Sequence, residues 1–359
     1  MARRNLVLIA VTLPRATASW SASDWDMLVR QARSSNLLGH LAFRLEAAKV
    51  LAGAPPAAQA HLEAARILAQ HQQQAVEREV AAIQKSLVAT GVDIILLKGA
   101  AYAIAGLRAA KGRIFSDIDI LVPKQALLEI ESALMQHGWV STHHDPYDQR
   151  YYRTWMHELP PMRHIIRQTV IDVHHAILPE TARLKPDSAK LRRAAVPLEG
   201  KKGLFVFSPA DMVLHSATHL FHDGELEHGL RDLVDLDTLL REFSPQAGFW
   251  DMLVERAAEL DLRRPLYYAL RYTAHLLGTP VPPQVLQASE AGKPVPVIDR
   301  LMDALFVRAL CPDHSSVADR LTPIARRILY VRSHWLRMPP LLLIYHLTIK
   351  AFRPGRSED

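Results

Sequence analysis

The spacing of apolar residues changes twice along the chain, and this change constrains the fold more than any other feature. Up to residue 90, apolar side chains recur every three or four residues and line one helix face, as in Val76, Val80, Ile83 and Leu87. Short runs rich in β-branched residues then alternate with short helical patterns, and helical spacing returns after residue 207. We therefore predict an N-terminal helical region (1–90), a compact α/β core (91–207) and a C-terminal helical region (208–359).

The central region divides into short elements separated by Gly and Pro. Strand patterns occur in VDIILLKG (92–99), RIFSDIDILV (113–122), RHIIRQTVIDVHHAIL (163–178) and LFVFSP (204–209). Helical patterns occur in AAYAIAGLRAA (100–110) and KQALLEIESALMQHGW (124–139). Residues 140–159 are polar and aromatic, and we predict a loop or an edge strand there.

The composition is that of a globular protein with a large core. The chain has 359 residues, of which 49% are hydrophobic and 22% charged, and its formal net charge is +6. This basic excess is compatible with a phosphate-bearing partner but is too small to identify one. Cys311 is the only cysteine, which excludes an internal disulfide and a cysteine zinc site, so we expect a reducing compartment.

Neither end of the sequence predicts a membrane span. The apolar run at residues 6–13 follows two arginines, but Arg15 stands where a signal-peptide cleavage site needs small residues. The apolar part of MPPLLLIYHLTIKAF (338–352), which lies between Arg337 and Lys350, is too short to cross a bilayer. We expect a cytoplasmic protein without a transmembrane segment. The C-terminal stretch is predicted to be a packed helix, with an interfacial helix as the alternative.

Two aspartates interrupt the strand-like run GRIFSDIDILVP (112–123). Side chains two residues apart project from the same face of a strand, so we expect Asp117 and Asp119 to face outward together while the alternating isoleucines point into the core. Adjacent carboxylates repel each other unless a positive group lies between them. A divalent cation such as Mg²⁺ would resolve this, and a third acid on a neighbouring strand, Asp172, would allow two metal ions. The alternative is a solvated acidic pair that is salt-bridged to Lys or Arg.

Residues that could hold phosphate lie close to these acids in sequence. LLKGAAY is a strand-to-helix turn that carries Lys98 and Gly99, and a helix N-terminus there would present N–H groups to an anion. Arg113, four residues before Asp117, adds a planar, forked donor. This context favours a metal and phosphate site over the solvated pair.

The series LLKGAAY, Arg113, SDIDILV, VIDVHH, LHSATH and LRDLVDLDTLL resembles a bacterial family of uncharacterised nucleotidyltransferases. This family falls within the DNA polymerase β-type nucleotidyltransferase superfamily. The resemblance implies an α+β fold with a small mixed β-sheet core between helical regions. It also implies transfer of a nucleoside monophosphate from an NTP to an acceptor hydroxyl, with release of pyrophosphate and with Mg²⁺ or Mn²⁺ as cofactor.

The resemblance further implies roles for individual residues. The implied metal ligands and catalytic residues are Asp117, Asp119 and Asp172, and the last of them would help to deprotonate the acceptor. Where the superfamily usually has Gly-Ser, this chain has Lys-Gly-Ala, so the implied triphosphate ligands are Lys98, Gly99, Arg113 and Ser116. The acceptor stays open between a small molecule such as an aminoglycoside, a tRNA end, a protein side chain and a glycan precursor, as do the NTP base and the oligomeric state.

Three histidines in HSATHLFHDG leave other functions open. His215, His219 and His222 fall on one helix face, where we expect them to pack against the core or to line the cleft. The alternative is a metal site in a phosphohydrolase. A second alternative is an inactive nucleotidyltransferase fold that serves as a binding or regulatory module. No Walker loop, dinucleotide-binding fingerprint or Gly-x-Ser-x-Gly elbow is present in the sequence.

Two further polar patterns suggest local partners. His174 shares a strand face with Asp172, so it could orient that acid, with structural packing as the alternative. In LRDLVDLDTLL, Asp235 lies four residues after Arg231 and is expected to pair with it, while the neighbouring acids are expected to be solvated.

Overall fold

A mixed seven-stranded β-sheet lies in the middle of the chain. The computed structural model describes residues 4–143, 145–223, 226 and 228–344. Within them the strands are β1 (Ile94–Leu96), β2 (Asp117–Leu121), β3 (Trp139–Ser141), β4 (Met162–His164), β5 (Val170–His174), β6 (Val196–Pro197) and β7 (Leu204–Val206). Their order is β3-β4-β5-β2-β1-β7-β6. The β2–β5 and β1–β7 pairs are parallel, and the other neighbouring pairs are antiparallel.

Helices precede, connect and follow the strands. Before the sheet lie α1 (Leu6–Thr12), α2 (Ala22–Ser34), α3 (Leu38–Ala47) and α4 (Pro56–Leu87). Between strands lie α5 (Lys98–Ile104), α6 (Leu127–Gln136), α7 (Pro146–Trp155) and α8 (Ser188–Arg193). After the sheet come α9 (Pro209–Thr218), a π-helical turn (His219–Asp223), α10 (Gly229–Phe243), α11 (Phe249–Glu259), α12 (Arg263–Leu277), α13 (Pro283–Ser289), α14 (Pro296–Ala309) and α15 (Thr322–Arg337). The predicted α+β class with helical flanks is confirmed.

One connected hydrophobic core runs through the described part of the chain. It includes apolar residues from α1 at one end to α15 at the other, together with both faces of the central strands. The strands lie between residues 94 and 206, inside the predicted α/β core. The division into three regions stays a prediction from the sequence. No helix among the described residues combines the length and the apolar character needed to cross a bilayer.

The prediction for residues 140–159 is wrong over half of its length, from 146 to 155. Only the end of β3 falls in this stretch as an edge strand, and Pro146–Trp155 form a helix, α7. The Asp145 side chain accepts hydrogen bonds from the N–H groups of Tyr147 and Asp148, and Pro146 occupies the first helical turn. An N-cap aspartate followed by proline is a strong helix start, and it outweighs the strand preference of the aromatic residues.

Two glycine backbones meet where α3 packs against the loop that leads into β2. A Cβ atom on Gly39 would lie 2.5 Å from the carbonyl oxygen of Gly112, and a Cβ atom on Gly112 would overlap the backbone of Gly39. Gly112 also has a φ of +76°, a conformation that is costly for residues with a side chain. This contact holds α3 against the segment that positions the acids of β2.

We expect Gly112→Ala to lower the free energy of unfolding by about 3 kcal/mol, because it combines a steric overlap with left-handed backbone strain. Gly106→Ala is the matched control, since Gly106 has a φ of +68° but no atom within 4 Å of a built Cβ. The control should lose only about 1 kcal/mol. Urea unfolding measures the free energy of unfolding of both variants. Equal losses of stability would show that the contact between Gly112 and Gly39 does not contribute.

Candidate metal and nucleotide site

Two parallel strands at the centre of the sheet bring the predicted acids together. Asp119 on β2 lies directly opposite Asp172 on β5, and Asp117 lies opposite Val170. Each of the three acids offers one carboxylate oxygen, and these oxygens lie within 4.8 Å of one another. The isoleucines that alternate with the acids on β2 are buried, as predicted, and hold the strand in the core. The three carboxylates therefore form one group across the β2–β5 pair.

Asp119 is buried and has two positively charged or polar partners. Its side chain is only 5% exposed, so the prediction that it faces outward is wrong. Lys98 Nζ lies 3.3 Å and His174 Nε2 lies 2.9 Å from Asp119 Oδ1. Burial opposes ionisation of Asp119, but the charge of Lys98 and the hydrogen bond from His174 outweigh it and lower the pKa of the carboxyl group. Asp119 is therefore the ionised member of the facing pair.

The pKa of Asp172 is shifted in the opposite direction from that of Asp119. Burial, followed by the negative charges of Asp119 and Glu158, raises its pKa to about 8. Its Oδ1 atom is buried and accepts no hydrogen bond from any described group. An acid in this position is stabilised by a cation placed between it and Asp119. The orphaned oxygen and the convergence of three carboxylates fit the oxygen-ligated divalent metal site that the sequence predicts.

Asp117 is the most accessible of the three acids. It is half-buried at the start of β2, and its Oδ1 accepts a hydrogen bond of 2.8 Å from the Ser116 hydroxyl. Burial and the charge of Asp119 raise the pKa of Asp117, and the Ser116 hydrogen bond partly offsets this rise. Asp117 and Ser116 therefore form the entrance side of the acidic group.

His174 links Asp119 to a fourth acid. Its Nε2 atom contacts Asp119, and its Nδ1 atom lies 3.2 Å from Glu158 Oε2. Burial opposes protonation of His174, but Glu158 and Asp119 together raise its pKa. The expectation that His174 could orient Asp172 is wrong, because the ring reaches diagonally across the strand pair to Asp119. Sequence reasoning missed Glu158, which lies in the stretch predicted to be a loop or an edge strand and pairs with His174 through an isolated β-bridge.

Two of the implied phosphate ligands lie next to the acids. Lys98 begins α5 with a left-handed φ of +44°, and its ammonium group contacts Asp119. Ser116 is exposed beside Asp117. Gly99 follows Lys98, and a Cβ atom there would lie 2.9 Å from the Phe115 ring and 3.1 Å from Arg113 Nε. Gly99 therefore allows the loop before β2 to pack closely on α5.

Arg113 is half-buried, with a side chain that is 12% exposed, and it contacts a helix far along the chain. Its guanidinium group forms an ion pair with Asp235 on α10 and lies 5.9 Å from the centre of the Tyr102 ring. Arg231 instead pairs with its neighbour Asp232 at 2.7 Å. The predicted Arg231–Asp235 pair is therefore wrong, because the loop before β2 supplies a competing cation from far along the chain. Nor is Asp232 solvated as predicted, since its side chain is 12% exposed.

The comparison with models of protein families returned one match that covers most of the chain. Residues 21–278 match the family described as "Uncharacterised nucleotidyltransferase". The chain belongs to this nucleotidyltransferase family. Searches of the curated proteins and of the solved structures found no match. The family resemblance predicted from the sequence is confirmed.

The C-terminal helices of this nucleotidyltransferase bring two of the three α9-region histidines close to the acids. The charge of His219 lowers the pKa of Asp119, and burial followed by the charge of Lys98 lowers the pKa of His215 well below its usual value. Among the described side chains, His215, His219 and His222 do not form a group with metal-ligand spacing. The π-helical turn that begins at His219 is a deformation often found at functional sites. The arrangement supports the expectation that these histidines line the cleft or pack against the core.

Helix α7 forms another wall near the acids. Burial, and then the charges of Glu158 and Asp172, raise the pKa of Tyr152, which places its hydroxyl near this part of the site. The aromatic side chains of α7 are all half-buried, and they are Tyr147, Tyr151, Tyr152 and Trp155. The rings of Tyr147 and Tyr151 are stacked with centroids 6.4 Å apart. This wall was not predicted, because residues 140–159 were interpreted as a loop or an edge strand.

Proposed function

We propose that this protein transfers a nucleoside monophosphate from an NTP to an acceptor hydroxyl, with pyrophosphate as the leaving group. The observation that carries the proposal is the group of three converging carboxylates, Asp117, Asp119 and Asp172, on adjacent parallel strands of a nucleotidyltransferase-family chain. Oxygen ligands of this kind suit Mg²⁺ or Mn²⁺. Bound there, such ions would neutralise charge on the phosphates and make the acceptor hydroxyl more acidic.

The side chains around the acids suggest how the substrates are held. We assign the triphosphate contacts to Lys98 and Ser116, which already lie beside Asp119 and Asp117. Gly99 keeps the turn compact. Arg113 contributes its positive charge from behind the cleft, where the ion pair with Asp235 fixes it. The aromatic helix α7 and the histidine-bearing α9 would then form the walls that face the base and the acceptor.

The proposed reaction moves one proton and exchanges one bond at phosphorus. The acceptor oxygen forms a bond to the α-phosphorus while the bond from that phosphorus to the bridging oxygen breaks, and the electron pair leaves with pyrophosphate. The acceptor proton passes to the Asp172 carboxylate. In the metal-free protein, burial and the charges of Asp119 and Glu158 raise the pKa of Asp172 to about 8. A bound divalent cation would lower this pKa, so that the carboxylate is ionised near neutral pH and can accept the proton. Asp119 stays ionised throughout.

Labelling with each α-³²P-labelled NTP tests the proposal. The purified protein is incubated with a cell extract and Mg²⁺, and the labelled product is isolated and identified. We expect one acceptor to become labelled in the presence of Mg²⁺ or Mn²⁺ and not in the presence of a chelator. Absence of labelling with every NTP, combined with retained NTP binding, would favour a non-catalytic binding module. Release of phosphate from NTPs without labelling would favour a phosphohydrolase.

We expect His174→Ala to weaken Mg²⁺ or Mn²⁺ binding about 10- to 100-fold, because His174 holds Asp119 in place through a 2.9 Å contact. His174→Gln should lose less metal affinity, since the glutamine amide can still donate a hydrogen bond to Asp119. His175→Ala is the matched control, because His175 is also buried but borders the cavity lined by Lys124 and Glu180. Isothermal titration measures the affinities. Equal losses in His174→Ala and His175→Ala would contradict the positioning role.

A further inference from the structure

Helix α15 has two apolar faces, and only one of them packs against the part of the chain that the structure describes. Its inner face buries Thr322, Ala325, Leu329 and Ser333. Its outer face carries Ile324, Ile328, Val331 and Trp335, which are 53%, 42%, 60% and 46% exposed. These residues follow one another at steps of four, three and four and therefore form one stripe along the helix. A surface helix needs only one apolar stripe, so the outer one indicates a contact with something outside the described residues.

The neighbouring helix repeats this pattern. Helix α14 packs against α15 and buries Met302, Leu305 and Phe306. Its exposed side includes Ile298 and Leu301, which are 42% and 45% exposed. We use the name outer apolar surface for Ile298, Leu301, Ile324, Ile328, Val331 and Trp335. Exposed apolar residues continue beyond α15 with Leu341, which is 83% exposed.

Unbalanced positive charge accompanies the outer apolar surface. Arg300, Arg320 and Arg327 are exposed and form no ion pair with any described residue. The acids of the same segment are already engaged, by contacts that join Asp299 to Tyr267, Asp303 to Arg271, Asp313 to Arg326 and Asp319 to Arg308. The partner of this surface should therefore present negative charge beside an apolar layer.

We propose that the outer apolar surface binds peripherally to an anionic lipid bilayer. The apolar stripe would enter the boundary between headgroups and acyl chains, and the three arginines would contact lipid phosphates. Trp335 has the ring type that is enriched at membrane interfaces. A symmetric contact between two copies of this chain fits less well, because it would bring like-charged arginine-bearing surfaces together. The proposal is independent of the nucleotidyl transfer reaction.

Flotation of the full-length protein with lipid vesicles tests the proposal. The probes are vesicles of phosphatidylcholine alone and of phosphatidylcholine mixed with phosphatidylglycerol. We expect binding to the mixed vesicles to be at least about tenfold tighter and to weaken as salt is added. The double variant Ile328→Ser/Val331→Ser and the triple variant Arg300→Gln/Arg320→Gln/Arg327→Gln should each lose this binding.

Two substitutions on α4 serve as matched controls. Leu68→Ser removes an apolar side chain that is 52% exposed, and Arg78→Gln removes an exposed arginine. Both should bind mixed vesicles like the parent protein. Absence of vesicle binding, or equal losses in the control variants, would overturn the proposal. A dimer that dissociates in Ile328→Ser/Val331→Ser, without vesicle binding by the parent, would assign the surface to a second copy and would also overturn it.

Discussion

Replacing Asp119 with asparagine is expected to lower kcat/KM for nucleotidyl transfer by at least about 1,000-fold. Asp119 is the ionised carboxylate at the centre of the acidic group, where Lys98 and His174 hold it. Asparagine keeps the shape of the side chain but removes the negative charge that a divalent cation requires. The rate of labelled NMP transfer measures the effect, with circular dichroism to check folding.

Asp93→Asn is the control for Asp119→Asn, because it makes the same chemical change at an exposed position just before β1. It should leave the rate within about twofold of the parent value. If a folded Asp119→Asn protein retains most of the activity, Asp119 is not needed for the reaction.

Asp172→Asn is expected to abolish transfer and yet to stabilise the metal-free protein. The ordinary pKa of an aspartate is 3.8, whereas burial and the charge of Asp119 raise that of Asp172 to about 8. Between these pH values the unfolded chain ionises Asp172 while the folded protein keeps it protonated. The contribution of Asp172 to the stability of the parent protein is therefore largest below about pH 4 and falls as the pH rises to 8. At pH 8 we expect the free energy of unfolding of the variant to exceed that of the parent protein by about 2 kcal/mol.

Urea unfolding in a chelator at pH 5 and pH 8 measures this effect of Asp172→Asn. The stability advantage of the variant should be larger at pH 8 than at pH 5. Addition of Mg²⁺ should stabilise the parent protein and have little effect on the variant. A variant that is less stable than the parent at pH 8 would show that the Asp172 carboxyl is not held in an unfavourable environment.

The sequence predicted the three acids because their positions follow from local rules. Strand alternation placed Asp117 and Asp119 on one face, and Asp172 stood out as a third acid in another strand-like apolar run. The partners of these acids depend instead on long-range pairing. In the β2–β5 register Asp119 faces Asp172, and this register brings His174 within reach of Asp119. No pattern within either strand encodes that register.

Arg113 shows the same limit of local reasoning. The helical spacing rule favoured Arg231 as the partner of Asp235, and the rule is valid for exposed helices. Asp235 is buried, however, and the loop before β2 brings Arg113 to it from a different part of the chain. Helix α7 was missed for another reason. Its start signal, Asp145 followed by proline, was present in the sequence, but the polar and aromatic content of the segment favoured a loop or an edge strand.

Helix α4 has a consequence for the engineering of a smaller enzyme. Gln72 accepts a hydrogen bond of 2.7 Å from the backbone N–H of Phe115, two residues before Asp117. Glu79 pairs with Arg167 at 2.7 Å, in the turn that joins β4 to β5. One long helix from outside the sheet thus fixes the approaches to both acid-bearing strands. A shortened version that begins at residue 91 would retain every side chain that we propose to act in catalysis, but it would lose the framework that sets the spacing between them.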